Sequence, residues 1–427
     1  MNGTERRTAA LIVALNLLSI GLLLDRDIFF TDFDGQWRLC AYALRGLDPY
    51  PLIGVAPPVL VDVGVIPRGW GTAPWGLILG NLFYAGFLPI DDAKIFFVVM
   101  NFILLTATAV LFYLETKSHW AMILFACPAS FFISTVTGNA GGVICCLLLM
   151  CCLLRERRPI LKALMLSLAM IKPQVALAFC IFFLLERRWK ILLTAAAIDL
   201  GAWLISARIV ERTPIELLKE FFGANVGGGS QFAGIFTLIV DNPMHSIALS
   251  MIVGAAFILT LRKKIWAPCL ASAFWSYSYF NEFFLLALPA LECVRLKMFR
   301  AAIVLHVGET LWTTIALWHR RMLELGAHNF FIDNRLITEI FRLEAWFEVR
   351  TIFCLIIIAI GFVMRQPSPP PSPPSPRSPQ SPPPRSPSPP PTPSTQPSPP
   401  FQSATSSQAP PPIFLLCQPA PPQSPSS

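Results

Sequence analysis

Two aspartates stand two positions apart in FFTDFDGQWRLCAYALRGLDPY, residues 29–50, directly after the first membrane-length apolar run. Asp32 and Asp34 sit among aromatic and Gly-Asp-Pro turn residues. Carboxylates so placed can take a proton from a hydroxyl. They can also share a divalent cation with a phosphate, although no acidic cluster here has calcium-loop spacing. Two further charges lie where charge is costly. Lys172 falls in Ile171-Lys172-Pro173-Gln174, which interrupts about 26 apolar residues between Arg158 and Arg187. Glu282 ends the stretch Tyr277-Ser278-Tyr279-Phe280-Asn281-Glu282, at the centre of about 30 apolar residues between Lys264 and Arg295. Charges at membrane depth usually face a polar cavity, and a proline at a break frees backbone groups. Lys172 therefore reads either as a site residue or as a side chain snorkelling to a headgroup phosphate. Asp32 reads as a proton acceptor, as a cap opening the amphipathic run that follows, or as both.

The elements that position these residues are apolar helices. Of the 427 residues 54% are hydrophobic and 14% charged, against about 25% charged in soluble domains. Several runs reach the roughly 20 apolar residues that cross a bilayer. They do not alternate as the strands of a membrane barrel would. The fold class is an all-α polytopic membrane protein of about 10–12 transmembrane helices, some in short hairpins. The net charge of +8 comes from clusters between apolar runs: Arg6-Arg7, Arg155 to Arg158, Arg187 to Lys190, Arg262 to Lys264 and Arg295 to Arg300. That is the pattern of cytoplasmic loops rather than a nucleic-acid surface. Cys145, Cys146, Cys151 and Cys152 share one apolar run without His or acidic partners, and read as small buried hydrophobes rather than metal ligands.

Residues 8–24 form an uncleaved first helix with a cytoplasmic N-terminus, since no small-residue cleavage site follows. The first extracytoplasmic loop occupies 25–92, with 73–88 as an interfacial or re-entrant helix. This assignment leaves every basic cluster inside. Spans are expected near 94–114, 119–136, 141–154, 190–209, 245–261, 301–318 and 350–364. The two long runs broken at Lys172 and Glu282 begin and end beside basic clusters, so each is a hairpin of two short helices. Residues 1–365 form the membrane domain. Residues 366–427 are Pro- and Ser-rich, without Lys, Asp or Glu. They form a disordered cytoplasmic tail, either a passive linker or a ligand for modules that bind polyproline.

The first loop resembles the polyprenol-phosphate-dependent glycosyltransferases of the C superfamily, in particular the mannosyl- and arabinofuranosyltransferase-like family 87. The resemblance rests on Asp32-Phe33, then Gln36-Trp37, Ala41, Leu44, Gly46 and Asp48-Pro49-Tyr50. Three later stretches are similar in the same order: Ala73-Pro74-Trp75 to Pro89, Ala169-Met170-Ile171-Lys172-Pro173, and Ser276 to Pro289. Two departures stand out. Gly138-Asn139-Ala140-Gly141 replaces a Gly-Gln-x-Asn pattern, and Gln36-Trp37 replaces tandem tyrosines.

The resemblance implies inverting transfer of a hexose or pentose from a polyprenyl-phosphate donor to the hydroxyl of a glycan or glycolipid acceptor. The reaction would run on the extracytoplasmic face, most naturally of a bacterial inner membrane, without a cofactor. Asp32 would be the general base, with Asp34 second. Lys172 would stabilise the leaving phosphate, with Arg38 and Arg45 as weaker candidates that could instead meet lipid headgroups. Trp37, Tyr50, Asn139, Tyr279, Asn281 and Glu282 would contact substrate, although aromatics are abundant at membrane interfaces in any case. Two other classes remain open on the sequence. A transporter or lipid flippase would also use broken helices, and an inactive scaffold would use the tail.

Overall fold

A computed structural model of the chain describes residues 3, 6, 7, 9–14, 17, 31–54, 63–66, 72–126, 129–139, 144–154, 158–226, 236, 240, 242–274, 281–308, 310 and 343–365. All fall within one compact unit, Met1–Pro367. Among the described residues the chain is helical, with no strand beyond an isolated bridge between Ile53 and Ile66. The expected tail lies outside the described residues.

Helix α1, Thr31–Leu44, follows the first apolar run, with Asp32 and Asp34 in its first turn. Acidic side chains there complement the positive end of the helix dipole. Two one-turn helices, α2 (Gly76–Leu79) and α3 (Asn81–Tyr84), lie against it. The interfacial or re-entrant helix expected over 73–88 is instead these two single turns. Gly80, between the two, is closely packed: a side chain there would meet the Gly76 carbonyl oxygen at 2.4 Å and Cys40 Sγ at 3.1 Å. Ala85 then takes a left-handed conformation. Asn81 Oδ1 accepts a 2.9 Å bond from the Gly86 amide and closes the turn.

Helix α4, Ile90–Thr116, starts after Pro89 with Asp91 and Asp92 in its first turn, and stops at left-handed Lys117. Its 27 residues rise about 40 Å, more than the roughly 30 Å hydrocarbon core. It and α10, Trp189–Ile209, are long and apolar enough to cross a membrane. The expected span 119–136 is a pair, α5 (His119–Ala126) and α6 (Ala129–Thr137), bent by 42°. Within the expected span 141–154, the described α-helix is only α7, Cys146–Cys152.

The hairpin at Lys172 forms as its sequence dictates. Helix α8, Pro159–Ala169, and helix α9, Pro173–Leu185, each open on proline, which needs no amide partner there. Lys172, which precedes Pro173, is held out of the helical region at φ −115°, ψ 80°. Each arm is too short to span alone. The arm α8 lies along α10, where Ser167 Oγ donates to Asp199 Oδ1 at 2.5 Å. Of the run around Glu282, residues 265–274 and 281–295 are described. Helix α11 is the amphipathic Pro214–Val226, α12 is Pro243–Thr260, and α13 is Ala267–Ser272. A 3-10 segment, Asn281–Leu286, leads into α14, Ala287–Arg295. An apolar helix α15, Phe299–Gly308, and α16, Leu343–Arg365, follow.

Candidate active site

Helix α1 touches α2, α3, α4, α6 and α10, so nearly every side of it is covered. Its anchor is Phe33, fully buried with its ring 5.3 Å from that of Phe97 and 5.6 Å from that of Tyr84. Asp32, the neighbour of that anchor, is 5% exposed.

Helix α6 delivers the partner of Asp32. It ends in a Schellman turn: the Gly138 amide bonds Thr135 O at 3.2 Å and the Asn139 amide bonds Ser134 O at 2.8 Å. Gly138 takes φ +79°, and a side chain there would lie 2.2 Å from Phe33 Cβ. Only glycine meets both demands. The turn therefore rests on the backbone of α1 and carries Asn139 to the carboxylate. Asn139 Nδ2 donates to Asp32 Oδ2 at 3.0 Å, and Lys172 Nζ approaches Asn139 Oδ1 at 3.4 Å. Carboxylate, amide and ammonium thus form one chain across α1, α6 and the α8–α9 break.

The break is itself braced from the first loop. Trp75 Nε1 donates to Met170 O at 2.8 Å. Gly76 lies so near Ile171 and Thr72 that a side chain on it would meet Thr72 Oγ1 at 2.6 Å and Ile171 Cγ2 at 3.4 Å. Tyr50 Oη donates to Thr72 O at 2.7 Å, and its buried ring meets the edge of Phe221.

The remaining residues singled out by sequence take other positions. Asp34 pairs with Lys94 at 3.1 Å and lies 3.9 Å from Arg38. Arg38 Nη1 donates to Val65 O, and Tyr42, one turn on, donates to Gly64 O at 2.8 Å, so both hold the loop segment 63–66. Arg45 is exposed after the end of α1, about 20 Å along the helix axis from Asp32. Trp37 is buried, with its indole nitrogen unpartnered among the described residues. Tyr279 lies outside the described residues, as do the side chains of Asn281 and Glu282. Among the described residues no group of three His, Cys, Asp or Glu side chains converges. Cys40, Cys152, Cys180, Cys269 and Cys293 are free thiols.

Two polar contacts were not anticipated. One is Ser167–Asp199, for which the signal was a lone acid at the middle of an apolar run. The other joins Asp48 to Arg212 at 3.2 Å, with Glu220 3.9 Å from the same guanidinium. Asp48 and Glu220 press each other. A shared hydrogen bond with Asp48, then partial burial and like charge, push the Glu220 carboxyl up to about 7. Nothing local in either segment announces that pairing.

Comparison with known proteins bears on the same region. Glycosyltransferase family 87 matches residues 74–327, more than half of the chain. The matched stretch contains Asn139 and Lys172 and begins after α1, so the place of Asp32 rests on geometry alone. Neither a curated protein nor a solved structure matches the chain. With its apolar helices and this match, the chain belongs to glycosyltransferase family 87 and is a membrane glycosyltransferase.

Proposed function

We propose that the protein transfers a sugar from a polyprenyl-phosphate donor to an acceptor hydroxyl in one inverting displacement, with Asp32 as general base. The observation that carries this reading is the chain Asp32–Asn139–Lys172. It puts a proton acceptor and a cation one amide apart, on three separate elements. In the reaction the acceptor oxygen attacks the anomeric carbon and its proton passes to the Asp32 carboxylate. The bond between that carbon and the phosphate oxygen breaks, and its electron pair leaves with the polyprenyl phosphate. Lys172 faces the negative charge gathering there, at the N-terminus of α9, where the helix dipole adds to it. Asp34, already paired with Lys94, serves as a tether rather than a base. Arg38 holds Val65 and Tyr50 holds Thr72, and Trp37 offers a buried donor on the same helix as Asp32.

The membrane frame follows from the same reading. In this reading residues 1–365 form a bundle of about 10–12 membrane-embedded helices, among them α4 and α10, which are long and apolar enough to cross. The first loop lies on the extracytoplasmic face. The N-terminus and the Pro/Ser-rich tail, 366–427, are cytoplasmic, and the bilayer is a bacterial inner membrane. The acceptor is a glycan or glycolipid at the same face.

The test is transfer of label from radiolabelled polyprenyl-phosphate mannose and polyprenyl-phosphate arabinofuranose in membranes carrying the protein. Asp32→Asn should lower the rate by about 10²- to 10⁴-fold, the usual contribution of a general base. Asp34→Asn should cost far less. Wild-type rates with Asp32→Asn would remove Asp32 as base. Uptake of donor without transfer would favour a transporter.

A further inference from the structure

The amide of Asn139 has one orientation that suits both its neighbours. A carboxylate only accepts hydrogen bonds and an ammonium only donates them. Nδ2 must therefore face Asp32 and Oδ1 must face Lys172, as they do. The reverse setting would put oxygen against oxygen and NH2 against ammonium. The backbone beneath is fixed as well, by the bonds to Ser134 and Thr135 and by the seat of Gly138 on Phe33. The side chain thus arrives from a rigid turn, with both ends of its amide engaged by the two charged groups of the site.

We propose that Asn139 is a positioning residue, not a sugar contact: it orients the Asp32 carboxylate, keeps it ionised and couples it to the cation at Lys172. This rests on the reading of Asp32 as base. A donor hydrogen bond to a carboxylate favours its charged form, so Asn139 holds Asp32 ready to accept a proton. When Lys172 turns to a phosphate, the same amide reports that change to the base.

The test separates this from a structural role and from substrate contact. In membrane vesicles with radiolabelled polyprenyl-phosphate mannose or polyprenyl-phosphate arabinofuranose, pH profiles of kcat/KM would be compared for wild type and the Asn139 variants. Asn139→Ala should lower kcat on the order of 10- to 100-fold, the worth of a hydrogen bond to a charged group. The acid limb of its profile should move to higher pH. Asn139→Asp sets a second carboxylate beside Asp32, so the two share a proton and the limb moves further, by more than about one unit. Asn139→Gln, which keeps the amide, should retain more activity than Asn139→Ala. Melting of the purified variants in detergent identifies any that fail to fold, and the remaining ones then carry the comparison.

Acid limbs coincident with wild type in the folded variants overturn the proposal. So does a raised donor KM with kcat unchanged, which would make Asn139 a substrate contact. Asp32→Asn keeps the two levels apart. If Asp32→Asn is inactive while the Asn139 limbs stay put, the base stands and the positioning role falls. If Asp32→Asn is fully active, the base itself falls, and this inference with it.

Discussion

Asn139 donates a 3.0 Å hydrogen bond to Asp32, 107 residues earlier in the chain. That bond exists because Gly138 has no side chain where it lies on Phe33. Base, turn and aromatic anchor are one packed unit, and the first predictions follow from it.

Gly138→Ala should be harmful twice over. An alanine at φ +79° costs about 1–2 kcal/mol for the left-handed backbone, and displacing Phe33 should add roughly 1–3 kcal/mol of overpacking. Thermal unfolding in detergent should show the loss, and transfer should fall with it. Gly138→Asn tells the two terms apart, because asparagine tolerates the backbone but not the collision. A return to wild-type stability with asparagine would mean that the contact with Phe33 is unimportant.

Trp75→Phe keeps the ring and deletes the donor to Met170 O, two residues before Lys172. The lost hydrogen bond is worth about 1 kcal/mol. The effect should appear as a several-fold rise in donor KM, because what loosens is the seat of the cation. Steady-state kinetics in vesicles give the answer; a fall in kcat alone at constant KM would contradict it.

Ser167→Ala removes the partner of Asp199 between α8 and α10. Hydrogen bonds between membrane helices average about 0.6 kcal/mol, so a small fall in unfolding temperature is expected. Asp199→Asn should be milder, since an amide still bonds the hydroxyl. If Asp199→Asn proved the more damaging of the two, the carboxylate would have a role beyond holding these helices together.

Stability should also depend on pH at the junction of the first loop with α11. Glu220 is raised from 4.5 to about 7 by Asp48; Arg212 and Glu216 also face it, the former lowering and the latter raising. The folded state binds this proton more tightly than the unfolded chain. The stabilisation is therefore complete below about 4.5 and is lost as pH rises through about 7. Glu220→Gln, neutral at every pH, should flatten that dependence. Melting curves from pH 5 to 8 decide it, and a wild type that gains stability from this region toward pH 8 would refute the assignment.

The sequence by itself determined the class of element, the break at Lys172-Pro173 and the identity of the charged residues. Apolar runs of membrane length can only be helices. Lys172-Pro173 must end one helix and start another, because proline forbids the helical conformation before it. Lys172 was legible as a charge inside an apolar run, whereas Asp32 and Asn139 were singled out by the family resemblance. Tertiary structure decided which of them meet. Arg38, on the same helix as Asp32, is drawn to a loop carbonyl instead, and Arg45 is carried a helix length away. The division of 73–88 into two one-turn helices and the pairings of Asp199 and Glu220 were decided at that level too. The reason is one of range. Helix formation and its interruption depend on neighbours within about four positions, which the sequence displays directly. The meeting of a carboxylate with an amide 107 residues away depends on which surfaces can approach, and a missing Cβ at Gly138 is what settled it.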